Sequence, residues 1–142
     1  MKAHAALRTH AENHIHSLGI GFSDFAVLEV LLHKGPLPVN ATGELVRLTS
    51  GSITVAIDRL EAKGLVARSV HHSDRRTRMV HLTDAGRKLI ESAFADHAAA
   101  MDRATGGLTP AEREQAAVLL KKLGRSAAAQ LAAPSGNRSE AR

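Results

Sequence analysis

Six stretches of the chain read as helix and two short runs read as strand. The first helical stretch, residues 2–18, is rich in Ala, His and Leu and ends at Gly19 and Gly21. In the second, Phe25, Leu28, Leu31 and Leu32 keep helical spacing behind Ser23, a good N-cap, with Asp24 in the first turn. His33-Lys34-Gly35 resembles its end. Pro36 and Pro38 predict a short extended link. Asn40 can cap a third, short helix to about Arg47, with Leu45 and Leu48 facing inward.

The fourth stretch is the most informative. Thr49 or Ser50 caps it, and Ile53, Ala56, Ile57 and Leu60 fall at i, i+3, i+4 and i+7, a single apolar stripe. Lys63 and Gly64 mark its end. Its other face carries Ser52, Thr54, Val55, Asp58 and Arg59, where a solvated helix would carry more Glu and Lys. After Gly64, residues 65–70 and 79–82 are β-prone, and the polar run between them makes a hairpin tip. Thr83 then caps a long helix to about Ala104, with Leu89, Ile90, Ala93, Phe94, Ala98 and Met101 on its apolar face. The last helix opens on Thr109-Pro110-Ala111-Glu112, a capping box with Pro at the first helical position. Its stripe is Ala116, Leu119, Leu120, Leu123, Ala127 and Leu131.

The predicted fold is mainly α with a small β-hairpin (α+β). A short helix, a tight turn, a second helix and a cationic hairpin make a winged helix-turn-helix, whose second helix enters a major groove and whose hairpin reaches a minor groove. Residues 1–133 are expected to form one domain. Within it, about 23–88 would be the DNA-binding part. The helices at about 2–18 and 89–131 are longer than so small a reading head needs and would form a homodimer core. Residues 134–142 are expected to be a disordered tail.

Charge sharpens this picture. The 142 residues carry a net charge of +5. Residues 1–48 are balanced, residues 49–88 hold +4 and the remainder +1. The excess therefore sits on the predicted helix-turn-helix and hairpin, an electrostatic footprint for a polyanion. Three Phe and no Tyr or Trp argue against a stacking platform for single strands. With no Cys, disulfides, cysteine-ligated zinc and thiol catalysis are excluded. No Walker motif, G-x-S-x-G elbow or complete dinucleotide loop is present, so an enzyme is not expected. No apolar run suggests a membrane span or signal peptide, which predicts a cytoplasmic protein.

The run SGSITVAIDRLEAKGLVAR at residues 50–68, then Asp74-Arg75-Arg76, then Leu82-Thr83-Asp84-Ala85-Gly86, resembles the MarR family of bacterial transcriptional regulators. Residues 23–28, Ser-Asp-Phe-Ala-Val-Leu, with His33-Lys34-Gly35, are also similar to the subgroup that includes methylhydroquinone-responsive repressors. The resemblance implies a homodimer of winged helix-turn-helix subunits whose first, fifth and sixth helices interlock. It implies binding to a pseudo-palindromic double-stranded operator and repression relieved by a small phenolic or other lipophilic effector. It makes residues 50–63 the recognition helix and Asp74-Arg75-Arg76 the wing signature, the acid bracing Arg76 for the minor groove.

The expected DNA-contacting residues are Thr49, Ser50, Ser52, Thr54, Val55, Arg59, Asp74, Arg75, Arg76 and Arg78. Hydroxyls can bond base edges or phosphates, Val can meet a thymine methyl, and a guanidinium suits the narrow, negative minor groove. Candidate effector-binding residues are His10, His14, Phe22, Phe25 and Phe94. His10 and His14 share a helix face at i, i+4, and the fifth helix carries His97, but ordinary polar positions near the dimer core explain them better than a ligand site, and the phenylalanines suit a core better than a pocket. No cofactor and no metal ligand set is predicted. Sensing of a divalent metal through histidines on the same scaffold, and a winged-helix module that binds protein, remain the other readings open.

Overall fold

Helix breakers and caps divide the chain as the apolar pattern requires. The computed structural model describes residues 2–70 and 77–132. Its elements are α1 (Lys2–Ser17), α2 (Phe22–Lys34), β1 (Leu37–Pro38), α3 (Val39–Val46), α4 (Ser50–Ala62), β2 (Val66–Val70), β3 (Arg78–Leu82), α5 (Asp84–Ala104) and α6 (Pro110–Ala132). The three strands form one antiparallel sheet in the order β1-β3-β2. The chain divides into two compact units, Met1–Ala104 and Thr105–Arg142. Among the described residues no single helix is long and apolar enough to cross a membrane.

The core of the first unit is built from periodic positions. Ile53, Ala56, Ile57 and Leu60 of α4 are all buried, against Phe25, Val27, Leu28 and Leu31 of α2, Val66 and Val80 of the sheet, Ile90 and Ala93 of α5, and Ile15 of α1. Burying each large aliphatic side chain contributes roughly 1.5–3 kcal/mol. The approach of α3 to α4 depends on Gly43, where a Cβ would lie 3.1 Å from Ile53 Cγ2. The turn between these helices passes through Arg47, whose left-handed backbone (φ 57°) ends α3.

One short motif ties the turn after α4 to the start of α5. The Thr83 hydroxyl donates to the Gly64 carbonyl at 2.6 Å and accepts from the Gly86 N–H at 3.0 Å. The Thr83 N–H donates to the Leu65 carbonyl at 3.1 Å. Gly86 permits this packing, because a Cβ there would stand 1.8 Å from the Leu65 oxygen.

Several sequence expectations are corrected. Ser23 does not cap α2: the helix begins at Phe22 with Gly21 at the cap, so Ser23 already lies inside the first turn. Asn40 does not cap α3, which starts one residue earlier behind Pro38. The buried Thr42 hydroxyl instead donates to the Pro38 carbonyl at 3.0 Å. Leu45 faces outward, 52% exposed, because Thr42 and Gly43 occupy the contact with the core. On α5, Ala98 is exposed and Ala100 is buried. The extended link at residues 36–38 contains an edge strand, Leu37 pairing with Val80 and Pro38 with Met79. An edge is where a strand tolerates proline's missing N–H. The expected tail, residues 134–142, lies outside the described residues.

Candidate nucleic-acid interface

Because the apolar stripe of α4 turns inward, the opposite face is presented. Thr49, Ser50, Ser52, Thr54, Val55 and Arg59 are exposed, Val55 by 59%. The Thr49 hydroxyl accepts the Ser52 N–H at 3.2 Å, capping the helix, and donates to Ser52 Oγ at 2.9 Å. Thr54 donates its hydroxyl proton to the Ser50 carbonyl at 2.9 Å. Thr49 and Thr54 thus spend their protons internally and keep acceptor lone pairs. Ser23, Leu48, Thr49, Gly51, Ser52, Val55 and Arg59 line an open cleft of about 560 Å³ beside α4.

The charges around this face are paired within the subunit. Asp24, 2% exposed in the first turn of α2, receives Arg59 Nε at 3.0 Å on each carboxylate oxygen, and Arg59 Nη2 also bonds Oδ1. Lys63 Nζ lies 3.5 Å from Asp24 Oδ2. The hydrogen bond to Asp24, reinforced by its charge, raises the Arg59 pKa above its ordinary value. On another side of α4, Arg68 of β2 bonds Asp58 at 2.5 Å and pairs with Glu61, whose carboxylate also accepts the Arg68 N–H at 3.1 Å. Neither clamp is legible in the sequence, since the partners come from different elements. The i, i+4 spacing of Arg59 and Lys63 shows that they share a face, but only the fold shows that Asp24 lies opposite.

Of the wing residues, Arg78 begins β3, exposed and opposite Val70. Asp74, Arg75 and Arg76 lie outside the described residues. The effector candidates are only partly brought together. His14 Nδ1 lies 3.3 Å from His97 Nδ1, and the buried Phe25 meets His97 edge-on at a centroid distance of 5.1 Å. Phe94 stacks edge-on with His33 at 4.8 Å. His10 is exposed, and Phe22 is 48% exposed rather than core. Burial foremost, then the neighbouring His14 and His10, lowers the His97 pKa. Among the described residues no three His, Asp or Glu converge as a metal site. A separate open cleft of about 330 Å³ is lined by Leu18, Ile20, Leu89, Ser92, Ala93 and Asp96.

The helix-turn-helix of α3 and α4, flanked by a sheet with a hairpin, defines a winged helix-turn-helix DNA-binding protein. The MarR family model matches residues 23–77. The chain is 38% identical over 126 residues to the HTH-type transcriptional regulator MhqR of Bacillus subtilis (strain 168), covering 89% of this chain and 87% of that protein. It is 35% identical over 109 residues to the HTH-type transcriptional repressor MdtR of the same organism, covering 77% and 70% of the two chains. The structure of Bordetella bronchiseptica BpsR, whose DNA binding is regulated by 6-hydroxynicotinic acid, superposes with a TM-score of 0.74 at 28% identity, covering 86% of this chain and 89% of that one. The chain belongs to the MarR family and is a DNA-binding transcriptional regulator, not an enzyme.

Proposed function

We propose that this regulator is a homodimeric repressor of a pseudo-palindromic operator, released by a small aromatic or phenolic effector. The observation that carries the DNA reading is the character of the outer face of α4. Its acidic and basic side chains, Asp58, Arg59 and Glu61, are engaged inside the subunit, which leaves Ser52, Thr54 and Val55 to meet base edges. Thr49 and Ser50 stand at the helix N-terminus, where a phosphate is favoured. Arg75, Arg76 and Arg78 supply cations to the minor groove, and Asp74 braces Arg76.

Dimerisation through the terminal helices accounts for the leucines of α6, whose exposure in one chain is costly, and makes each chain a single functional domain with its partner. Repression is supported by similarity to MdtR, and control of DNA binding by a small aromatic effector by similarity to BpsR. Within the first unit, the aromatic groups of Phe25, His14 and His97 and the separate cleft beside Ser92 and Asp96 are the places suited to a flat, hydroxylated ring.

A gel shift on the DNA upstream of the protein's own gene, at two salt concentrations, tests this reading. Arg76→Ala is expected to weaken binding by about 1–3 kcal/mol and reduce the salt slope by about one phosphate contact. Asp74→Ala is expected to reproduce part of that loss although it removes a negative charge. Hydroxylated benzoates and quinols, added singly, are expected to release the DNA. Absence of a salt-sensitive shift would refute the operator reading, and a shift untouched by every ring compound would refute the effector class.

A further inference from the structure

We infer that Asp24 is a positioning residue for DNA recognition: its buried carboxylate sets how α4 stands against α2, and Arg59 serves that clamp rather than a phosphate or base. This rests on α4 being the helix that reads DNA.

Three observations converge on the clamp. Asp24 is almost fully buried, yet it is a carboxylate directly beneath a surface that must approach a polyanion. A buried charge is tolerated only when paired and hydrogen-bonded. Arg59 supplies a two-point fork, Nε to both oxygens and Nη2 to Oδ1, while Lys63 adds a second cation from the C-cap of the same helix. A fork of this kind constrains orientation as well as distance. Arg59 Nη2 also lies 3.4 Å from Ser23 Oγ, so the guanidinium spans the first turn of α2.

The clamp sits where orientation matters. Ser23 and Arg59 line the same cleft as Ser52 and Val55. A rotation of α4 about its axis would swing Ser52 and Val55 off register with base edges, whose hydrogen-bond geometry is narrow. Phosphate attraction is far less sensitive to such a rotation. The clamp therefore contributes to discrimination between sequences rather than to overall affinity. Net charge gives the opposite sign: removing an acid next to DNA would tighten binding everywhere.

The test uses the full chain and a duplex selected by it from random sequence, with a scrambled duplex as control. Binding is measured at several salt concentrations and at a temperature where circular dichroism shows each variant folded. Asp24→Asn is expected to lower the ratio of selected to scrambled affinity by about tenfold, with scrambled binding equal or tighter. Arg59→Gln is expected to lose the same discrimination with an unchanged salt slope. The double variant is expected to be no worse than either single, since both remove one interaction. Asp24→Glu is expected to restore part of the ratio. An Asp24→Asn protein with undiminished discrimination would overturn the inference. So would an Arg59→Gln protein that binds both duplexes more weakly by one factor, with a salt slope reduced by about one contact. Should Asp24→Asn not fold, Arg59→Lys, which keeps the charge and loses the fork, decides: retained discrimination overturns the clamp, and lost discrimination supports it. If the unmodified chain selects no duplex, the DNA reading of α4 fails and the inference falls with it.

Discussion

Helices α4 and α6 look alike as sequences and end in opposite surroundings. Each opens on a threonine cap, Thr49 for α4 and Thr109 for α6, and each carries an apolar stripe at helical spacing. The α4 stripe of Ile53, Ala56, Ile57 and Leu60 is at most 2% exposed. The α6 leucines 119, 120, 123 and 131 are 56–90% exposed. Amphipathic spacing states that a face should be buried and is silent about what buries it. For α4 the covering surface is in the same unit. For α6 the proposed covering surface is a second copy, and large exposed apolar patches mark such interfaces.

The largest expected effect comes from attacking α6. Leu120→Asp with Leu123→Asp should weaken self-association by roughly a thousand-fold or more, since each Leu burial is worth about 1.5–3 kcal/mol and a two-fold interface uses it twice. Sedimentation at micromolar concentration checks this. An unmodified chain that is already a stable monomer would break the contrast. The next effect is in α4. Leu60→Ala should cost about 2–5 kcal/mol of folding stability, read by urea unfolding at fixed protein concentration. Leu131→Ala, at the most exposed position of the α6 stripe, should cost less in the same measurement.

The caps offer a smaller, symmetrical comparison. Thr49 accepts a single N–H, whereas Thr109 and Glu112 satisfy each other's backbone: the Thr109 N–H donates to Glu112 Oε2 at 2.8 Å and the Glu112 N–H donates to Thr109 Oγ1 at 3.3 Å. Each Thr→Ala should cost about 0.5–2 kcal/mol, with the loss at 109 also returning the Glu112 pKa part of the way toward its ordinary value in an NMR titration, since alanine removes the hydroxyl donor and keeps the backbone N–H that lowers that pKa most.

Acid should separate the two regions most subtly. His97 titrates below its ordinary 6.5, chiefly because burial disfavours its charged form. The unfolded chain then binds the proton first, so stability in the first unit falls as pH drops below about 6.5 and stops falling below the folded value. Glu112 titrates below its ordinary 4.5, chiefly through the Thr109 backbone N–H, so the α6 box loses its contribution only as pH falls from about 4.5 through that lower value. Thermal midpoints between pH 7.5 and 5 should fall less in His97→Asn than in the parent. An equal fall would place the acid sensitivity elsewhere.

Local chemistry was enough to read most elements of this protein. The α4 stripe, the caps at Thr49, Thr83 and Thr109 and the two main strands depend on spacing and caps over a few residues, and all are visible in the chain as written, whereas the close packing of Gly86 on the Leu65 oxygen joins distant positions and is set by the fold. The face of α4 that holds Ser52, Thr54 and Val55 followed from the same periodicity. Residues 39–46 misled because eight residues are too few for periodicity to separate Leu45 from its neighbours, and the contact there went to the small Thr42 and Gly43. Tertiary structure alone decided the charges. Asp24 and Arg59 are 35 residues apart, and Arg59 on an outward helix face is, by sequence, as suited to a phosphate as to a carboxylate. A charged side chain long enough to reach in several directions takes its partner from whichever element the fold brings opposite, and that choice is not encoded in its own neighbourhood.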